Sequence, residues 1–245
     1  MKIYIVNLEK DIERKASIKT QLDALNLDYQ FISAVYGKAL SQEEIAQLSP
    51  DFEKTRLTLP ELGCALSHLK VYREIIKNND EIALILEDDV KLHHNIKKYL
   101  DLLSINNNPN TPEVIILGKV NEYIDSFKKI LDKNYSLVNV IDSVGAYGYC
   151  LNKKAAENLL TFLQPIWIVS DEWKLIREKN VAKIKAIVPP LITFTDYADI
   201  STISNTPRAL LTNFDKKKRK RNFCESIKLL LWRVFIRSWV KKVRP

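Results

Sequence analysis

The chain has 245 residues, 46% of them hydrophobic, which is room for one α/β domain with a fully buried sheet and too little for two generous ones. Its three cysteines, Cys64, Cys150 and Cys224, are widely spaced with no C-x-x-C pair, a pattern of reduced thiols that argues against a disulfide framework or a zinc site. The net charge of +8 belongs to a tail: from Lys216 to Pro245 there are twelve Lys and Arg against the single acid Glu225, so the first 215 residues are net −3.

The opening "MKIYIVNLEKD" turns charged too soon to hold a signal peptide's apolar region or a membrane span, and the expected location is the cytoplasm. Lys2 to Val6 is a β-branched and aromatic run, and Asp11 to Leu27 carries Ile12, Ala16, Ile18, Leu22 and Leu25 at near-helical spacing: a strand, then a helix. Tyr29 to Val35 predicts a second strand closed by Gly37. Ser41 with Glu44 predicts a capping box for a short helix, and Thr58 with Glu61 another. Behind Thr58, Pro60 to Lys77 places Leu62, Ala65, Leu66, Leu69, Tyr72 and Ile76 on one helical face and feeds the apolar strand Ile82 to Leu86. Further strands are expected at Glu113 to Leu117, Leu137 to Ile141, Tyr147 to Leu151 and Ala186 to Val188, with helices near Lys153 to Phe162 and Asp171 to Lys179. The alternation predicts an α/β fold with a mostly parallel central sheet flanked by helices.

The stretch "LILEDDVKLHHN" ends the apolar strand in Glu87, Asp88 and Asp89. Ligands of open α/β sheets bind at the carboxyl ends of strands. In extended backbone, alternation aims Glu87 and Asp89 to one side and Asp88 to the other, and two hard oxygen donors at that spacing suit Mg²⁺ or Mn²⁺. The plainer alternative is three acids ending a strand and starting a turn. His93 and His94 are expected as ordinary residues of the following helix.

The segment "LPELGCALSHLKVYREIIKNNDEIALILEDDV" (Leu59 to Val90) resembles glycosyltransferase family 25 of lipopolysaccharide and lipooligosaccharide biosynthesis, with its G-C-x-x-S-H helix and L-E-D-D-V strand end. "IYIVNLEKDIERKASIKTQL", "SAVYGKAL", "GAYGYCLNKKAAENLL" and "SDEW" continue the resemblance in order, from residue 3 to about 205. Tyr36 is a departure, standing where the family often has an acid. The resemblance implies a single GT-A-like domain, here residues 1–205, an inverting reaction, a nucleotide-sugar donor, commonly UDP-galactose, and a divalent cation, typically Mn²⁺.

On that basis Asp89 is the first metal ligand, with Glu87 or Asp88 as second, stabilising the departing diphosphate. Asn7, Arg14, Ser67, His68 and Asp88 are expected at the nucleotide sugar, and Gly145 and Tyr147 at the acceptor. Ser170 is read as an N-cap that puts Asp171 and Glu172 in a helix's first turn, where the helix dipole keeps a carboxylate ionised, as the acceptor's general base must be. Each has an ordinary structural reading as a cap, turn or helix-face residue. Asp196 and Asp199 are further metal-ligand candidates.

In the tail, residues 206–245, Leu229, Trp232, Phe235, Ile236, Trp239 and Val243 recur at helical spacing with Arg233, Arg237, Lys241 and Arg244 opposite, behind the hexabasic "KKKRKR". This predicts a basic amphipathic helix lying on an anionic membrane surface at the inner face of the cell membrane, near lipid-linked oligosaccharide acceptors, without spanning the bilayer. Nucleic acid is the disfavoured partner, for no recognition fold accompanies the basic run. The expected activity is that of a β-1,4-galactosyltransferase. The alternatives are transfer from UDP-glucose or UDP-N-acetylhexosamine, a metal-dependent phosphohydrolase, and a non-catalytic membrane or nucleic-acid binding protein.

Overall fold

A computed structural model describes residues 1–195, 210–236 and 239–245. Along the chain, β1 (Lys2–Asn7), α1 (Ile12–Ala24), β2 (Gln30–Ser33), α2 (Gln42–Leu48) and α3 (Leu59–Lys77) lead to β3 (Ile82–Glu87), β4 (Val90–Leu92), α4 (Ile96–Ile105) and β5 (Glu113–Ile116). Next come β6 (Glu122–Ile130), β7 (Ser136–Asp142), β8 (Gly148–Asn152), α5 (Lys153–Leu163), α6 (Trp173–Glu178), β9 (Lys183–Val188) and β10 (Ile192–Phe194). The C-terminal elements are α7 (Asn213–Arg219), α8 (Phe223–Leu231) with a π-turn over Trp232–Ile236, and β11 (Lys242–Val243).

Among the described residues nine strands form one sheet in the order β11-β6-β7-β9-β5-β8-β3-β1-β2. The strands β1, β2, β3, β5, β9 and β6 run in one direction and β7, β8 and β11 against it, so most strands share one direction, with β8 threaded antiparallel between β3 and β5. Helices cover both faces, so the α/β layout expected of a GT-A-like domain is the one observed. Alternation along the central strands divides the core in two. Tyr4, Val6, Ala83 and Ile85 pack with α3 and α5, and Ile3, Ile5, Leu84 and Leu86 pack with α1 and α4. Both faces of β1 and β3 are dry, which is why their sequences are continuous apolar runs.

Both expected capping boxes form, Ser41 with Glu44 and Thr58 with Glu61. Three expectations need correction, and one strand, β6, was not expected at all. His93 and His94 lie in the turn before α4, because the chain after Asp89 first makes β4, which pairs with β10. The last of the middle helices begins at Trp173, so Asp171 precedes it and Glu172 occupies the N-cap position. The strand β6 carries no apolar alternation to announce it; it is a half-exposed outer strand whose register with β7 breaks between Ile124 and Lys129.

The third correction concerns the tail. The helical spacing does not persist to Val243: Lys242 and Val243 instead extend the sheet beside β6, with Asp125 N donating to Lys241 O at 2.8 Å. Further contacts tie the tail down. Thr212 Oγ1 donates to Lys54 O at 2.5 Å, and Lys179 Nζ donates to Glu225 Oε2 at 2.9 Å. Among the described residues no helix is long and apolar enough to cross a membrane.

Candidate functional site

The carboxyl ends of β1 and β3 meet the N-terminal half of α3 at a cleft of about 280 Å³. Glu87, Asp88 and Asp89 form its floor, with Lys10, Arg14, Tyr36, Pro60 and Cys64 among its walls. The wall between β2 and α3 depends on glycine. A Cβ on Gly63 would lie 2.5 Å from both Gly37 N and Val35 O, so only hydrogen lets the helix approach this loop so closely. Ser67 locks the same contact, its hydroxyl accepting from Val35 N at 2.8 Å and donating to Gly63 O at 2.7 Å. Ser67 lines the cleft, yet both hydroxyl bonds serve the wall itself.

The strand ends at Glu87, and Asp88 and Asp89 form a turn. Strict alternation therefore ends at Glu87 and does not sort the three acids as expected. Asp88 and Asp89 are the two that converge: both reach Arg14 Nη1, from Asp88 Oδ1 at 3.4 Å and from Asp89 Oδ2 at 3.3 Å. Asn7, buried at the end of β1, donates through Nδ2 to Asp88 Oδ2 at 2.7 Å. The backbone of Asp89 is also held, its carbonyl accepting from Thr195 N and Thr195 Oγ1 at 2.9 and 2.8 Å. Glu87 turns elsewhere, to His68 Nε2 at 3.4 Å and Cys64 Sγ at 4.0 Å.

Asp88 and Asp89 are both buried. Burial pushes the Asp89 carboxyl up to about 6, helped by the charges of Glu87 and Asp88 and opposed by Arg14. Burial also raises Asp88, with Asn7 and Arg14 pulling the other way. Asp89 Oδ1 is buried with no hydrogen-bond partner among the described residues. A buried, unsatisfied carboxylate oxygen is costly and needs a reason. A hard divalent cation supplies one, and the oxygen donors of this floor fit Mg²⁺ or Mn²⁺. Asp196 and Asp199 lie outside the described residues.

His68 is fully buried, with Nδ1 2.8 Å from Tyr149 Oη, which is in turn 2.8 Å from Tyr72 Oη. The Tyr149 ring packs edge-on against Trp173, whose Nε1 donates to Gly145 O at 2.9 Å. Gly145 adopts φ +93°, a conformation disfavoured for other residues, and donates its N–H to Asp171 Oδ2 at 2.7 Å. Tyr147 is mostly buried; its hydroxyl accepts from Lys119 N at 2.7 Å and its ring lies 4.1 Å from that of the half-exposed Phe194. Gly145 and Asp171 thus belong to one connected unit, while Tyr147 supports the neighbouring loop.

Glu172 has a different environment from Asp171. Arg56 Nη2 reaches its Oε1 at 2.5 Å, and Arg219 of α7 donates to Oε1 at 2.6 Å and Oε2 at 3.0 Å. Burial would raise this carboxyl, but the bonds and charges of Arg219 and Arg56 win and hold it low. Glu172 is therefore the clamp that fastens the tail to the domain. Spacing offers no signal for it, since Arg56 is 116 residues away and Arg219 is 47. Lys10 is a cleft residue that sequence reasoning also missed, and Tyr36, noted there only as a departure from the family pattern, is a wall residue beside it; the Lys10 ammonium sits 3.9 Å from the Tyr36 ring centre. The local signal for both is their position just after a strand end.

The profile of "Glycosyltransferase family 25 (LPS biosynthesis protein)" matches residues 1–173. Similar proteins include procollagen galactosyltransferase 1-A of Xenopus laevis, 28% identical over 168 residues, or 64% of this chain and 28% of that one. Human procollagen galactosyltransferase 2 is 27% identical over 168 residues, 64% of this chain and 27% of that one. The chain thus aligns with under a third of the length of these relatives. Among solved structures, a mannose-1-phosphate geranyltransferase from Thermus thermophilus superposes with a TM-score of 0.39 at 10% identity, covering 80% of this chain and 75% of that one.

Proposed function

Because this chain belongs to glycosyltransferase family 25, we propose that it is an inverting, metal-assisted hexosyltransferase that moves galactose from UDP-galactose onto a lipooligosaccharide or lipopolysaccharide glycan, forming a β-1,4 linkage. The observation that carries this reading is the cleft floor, where Asp89 keeps a buried oxygen unpartnered among the described residues, beside Asp88 and Arg14. Galactose as the sugar is supported by the names of the relatives, and the glycan context by the family's description.

Asp89 would hold the cation, with Glu87 as the further carboxylate of the floor, turned toward His68 rather than toward Asn7. When bound, the cation supplies Lewis-acid stabilisation of the diphosphate's growing negative charge. Arg14 and Asn7 keep Asp88 and Asp89 in place, and Lys10 brings a second cationic group to the same wall. Tyr36 presents a half-exposed ring against which a nucleobase can stack.

In the transfer, the acceptor oxygen bonds to the sugar's anomeric carbon as the bond to the diphosphate oxygen breaks on the opposite face. The acceptor's proton passes to a carboxylate. Asp171 is assigned that role in preference to Glu172, whose two arginine partners make it a poor base. Asp171 also holds Gly145, so base and acceptor loop are positioned together.

The tail is proposed to lie on an anionic membrane surface at the cytoplasmic face. Phe223, Leu230, Val234, Phe235 and Trp239 are exposed, and Lys216, Arg219, Lys220, Arg221 and Arg233 line one cavity of this region. Exposed aromatics together with adjacent cations are the combination that interfacial binding uses. In this reading residues 1–205 are the catalytic part and 206–245 the membrane-facing part, joined by the Arg219–Glu172 clamp.

The test is UDP release from a panel of UDP-hexoses with Mn²⁺ and a lipooligosaccharide acceptor. UDP-galactose is expected to give the most product, and Asp89→Ala to abolish it. Absence of release from every donor, with Asp89→Ala and wild type alike, overturns the proposal. A preference for UDP-glucose or UDP-N-acetylhexosamine overturns only the choice of sugar.

A further inference from the structure

Cys64 has no cysteine near it in sequence, but folding gives it other company. Cys64 and His68 are four residues apart on α3, so they share a helix face. The end of β3 brings Glu87 against that face. Cys64 Sγ, His68 Nε2 and Glu87 Oε1 all lie within 4.8 Å of one another, with Sγ to Oε1 at 4.0 Å and Nε2 to Oε1 at 3.4 Å.

We propose that Cys64 Sγ, His68 Nε2 and Glu87 Oε1 form a site for a thiophilic divalent cation of zinc's class, and that its occupancy fixes Glu87 in this turned position, away from Asp89.

Four observations support the site. Tetrahedral zinc with bonds of about 2.0 to 2.3 Å needs donor atoms roughly 3.3 to 3.8 Å apart, so small side-chain rotations close the present triangle. His68 has the outer partner that metal-bound imidazoles use: in the tautomer whose Nδ1–H donates to Tyr149, Nε2 presents its lone pair to the cluster. Tyr149 is itself held by Tyr72 and Trp173. Finally, Cys64 and Glu87 line the cleft, giving a cation an entry path and leaving its fourth position open toward the cleft.

Soft sulfur and nitrogen donors separate this site from the hard oxygens of Asp88 and Asp89. Binding exchanges a proton for the metal: the Cys64 S–H bond breaks, the thiolate keeps the electron pair and bonds to the cation, and the proton leaves to solvent. Thiolate and carboxylate together neutralise the doubly charged ion in a partly dry place. Because Glu87 is shared, the cation is a competitor of Mn²⁺ and a brake on any chemistry at Asp89.

The experiment uses the full chain carrying Cys224→Ser, which removes the exposed thiol. Titration with Co²⁺ is expected to give tetrahedral ligand-field bands and a thiolate-to-cobalt charge-transfer band, both bleached by Zn²⁺. Cys64→Ala is expected to abolish the charge-transfer band, and Cys64→Ser, which preserves size, to do the same. Tyr149→Phe keeps the ligands but removes the outer hydrogen bond, and should weaken Co²⁺ binding about 10- to 100-fold. The spectrum of bound Mn²⁺, followed by electron paramagnetic resonance, should revert to that of free Mn²⁺ as Zn²⁺ is added. A cobalt complex without a thiolate band, or a band that survives both Cys64 substitutions, overturns the proposal. The cobalt readouts are independent of the sugar-transfer proposal, and only the Mn²⁺ readout rests on the cation site which that proposal assigns to Asp89 and Glu87.

Discussion

Asp89→Asn should make the metal-free protein more stable while removing its response to Mn²⁺. In the folded chain the Asp89 carboxyl is raised to about 6 from an ordinary value of 3.8, chiefly by burial. A folded-state value above the unfolded one means stability that is complete below the unfolded value and lost as pH rises through about 6. Roughly two pK units at about 1.4 kcal/mol each give a cost near 3 kcal/mol for holding the ionised carboxylate at neutral pH. Asparagine has nearly the same shape and no charge, so it escapes that cost; Arg14 loses its contact with one carboxylate and keeps that with Asp88. The net gain expected in chelator at about pH 7.5 is then about 1 to 3 kcal/mol, or about 2 to 12 °C for a chain of this size. The assay is thermal unfolding of both proteins from about pH 4.5 to 8, with chelator and with Mn²⁺. Wild type should lose stability with rising pH in chelator and regain it with Mn²⁺, about 2.7 kcal/mol at a hundredfold excess over the dissociation constant. The variant should do neither. If it is no more stable than wild type at about pH 7.5 in chelator, or if Mn²⁺ raises both melting points equally, the electrostatic reasoning about Asp89 is wrong.

Two further predictions concern the tail. In a double-mutant cycle of Glu172→Gln and Arg219→Ala, the partly buried, doubly bonded pair should couple by about 1 to 3 kcal/mol, measured by chemical denaturation; coupling near zero would mean that α7 is not fastened as described. Replacing Phe235 by Glu puts a charge on the exposed apolar face without touching the clamp, and should reduce cosedimentation with phosphatidylserine-containing vesicles while leaving the melting temperature unchanged; equal sedimentation of both proteins rules out this face as the membrane contact.

The parts of the fold carried by local pattern were legible. The first three strands, α3 and its Thr58 cap follow from periodicity and capping chemistry alone, and the buried acids follow from where an apolar strand ends. What was not legible depends on contacts far apart in sequence. Glu172 looks like a helix-start acid until Arg56 and Arg219 arrive from opposite ends of the chain. The sorting of Glu87 from Asp88 and Asp89 depended on the strand stopping at Glu87, a boundary one residue past the expected Leu86. β6 has no apolar alternation to betray a strand, because its order comes from backbone pairing to β7 and β11.

That last pairing has a consequence for biosynthesis. Lys242 and Val243 leave the ribosome about 118 residues after their partners Ile124 and Tyr123. At roughly 5 to 20 residues per second, the free edge of β6 waits about 6 to 24 s for its cover. During that interval an open row of amide and carbonyl groups, flanked by the exposed side chains of Phe127 and Ile130, can recruit another nascent chain. Lys128 and Lys129, set between those two residues, place like charges where such a neighbour would add. Because β11 pairs only with Tyr123 and Ile124, they go on guarding the stretch from Phe127 to Ile130 after β11 arrives.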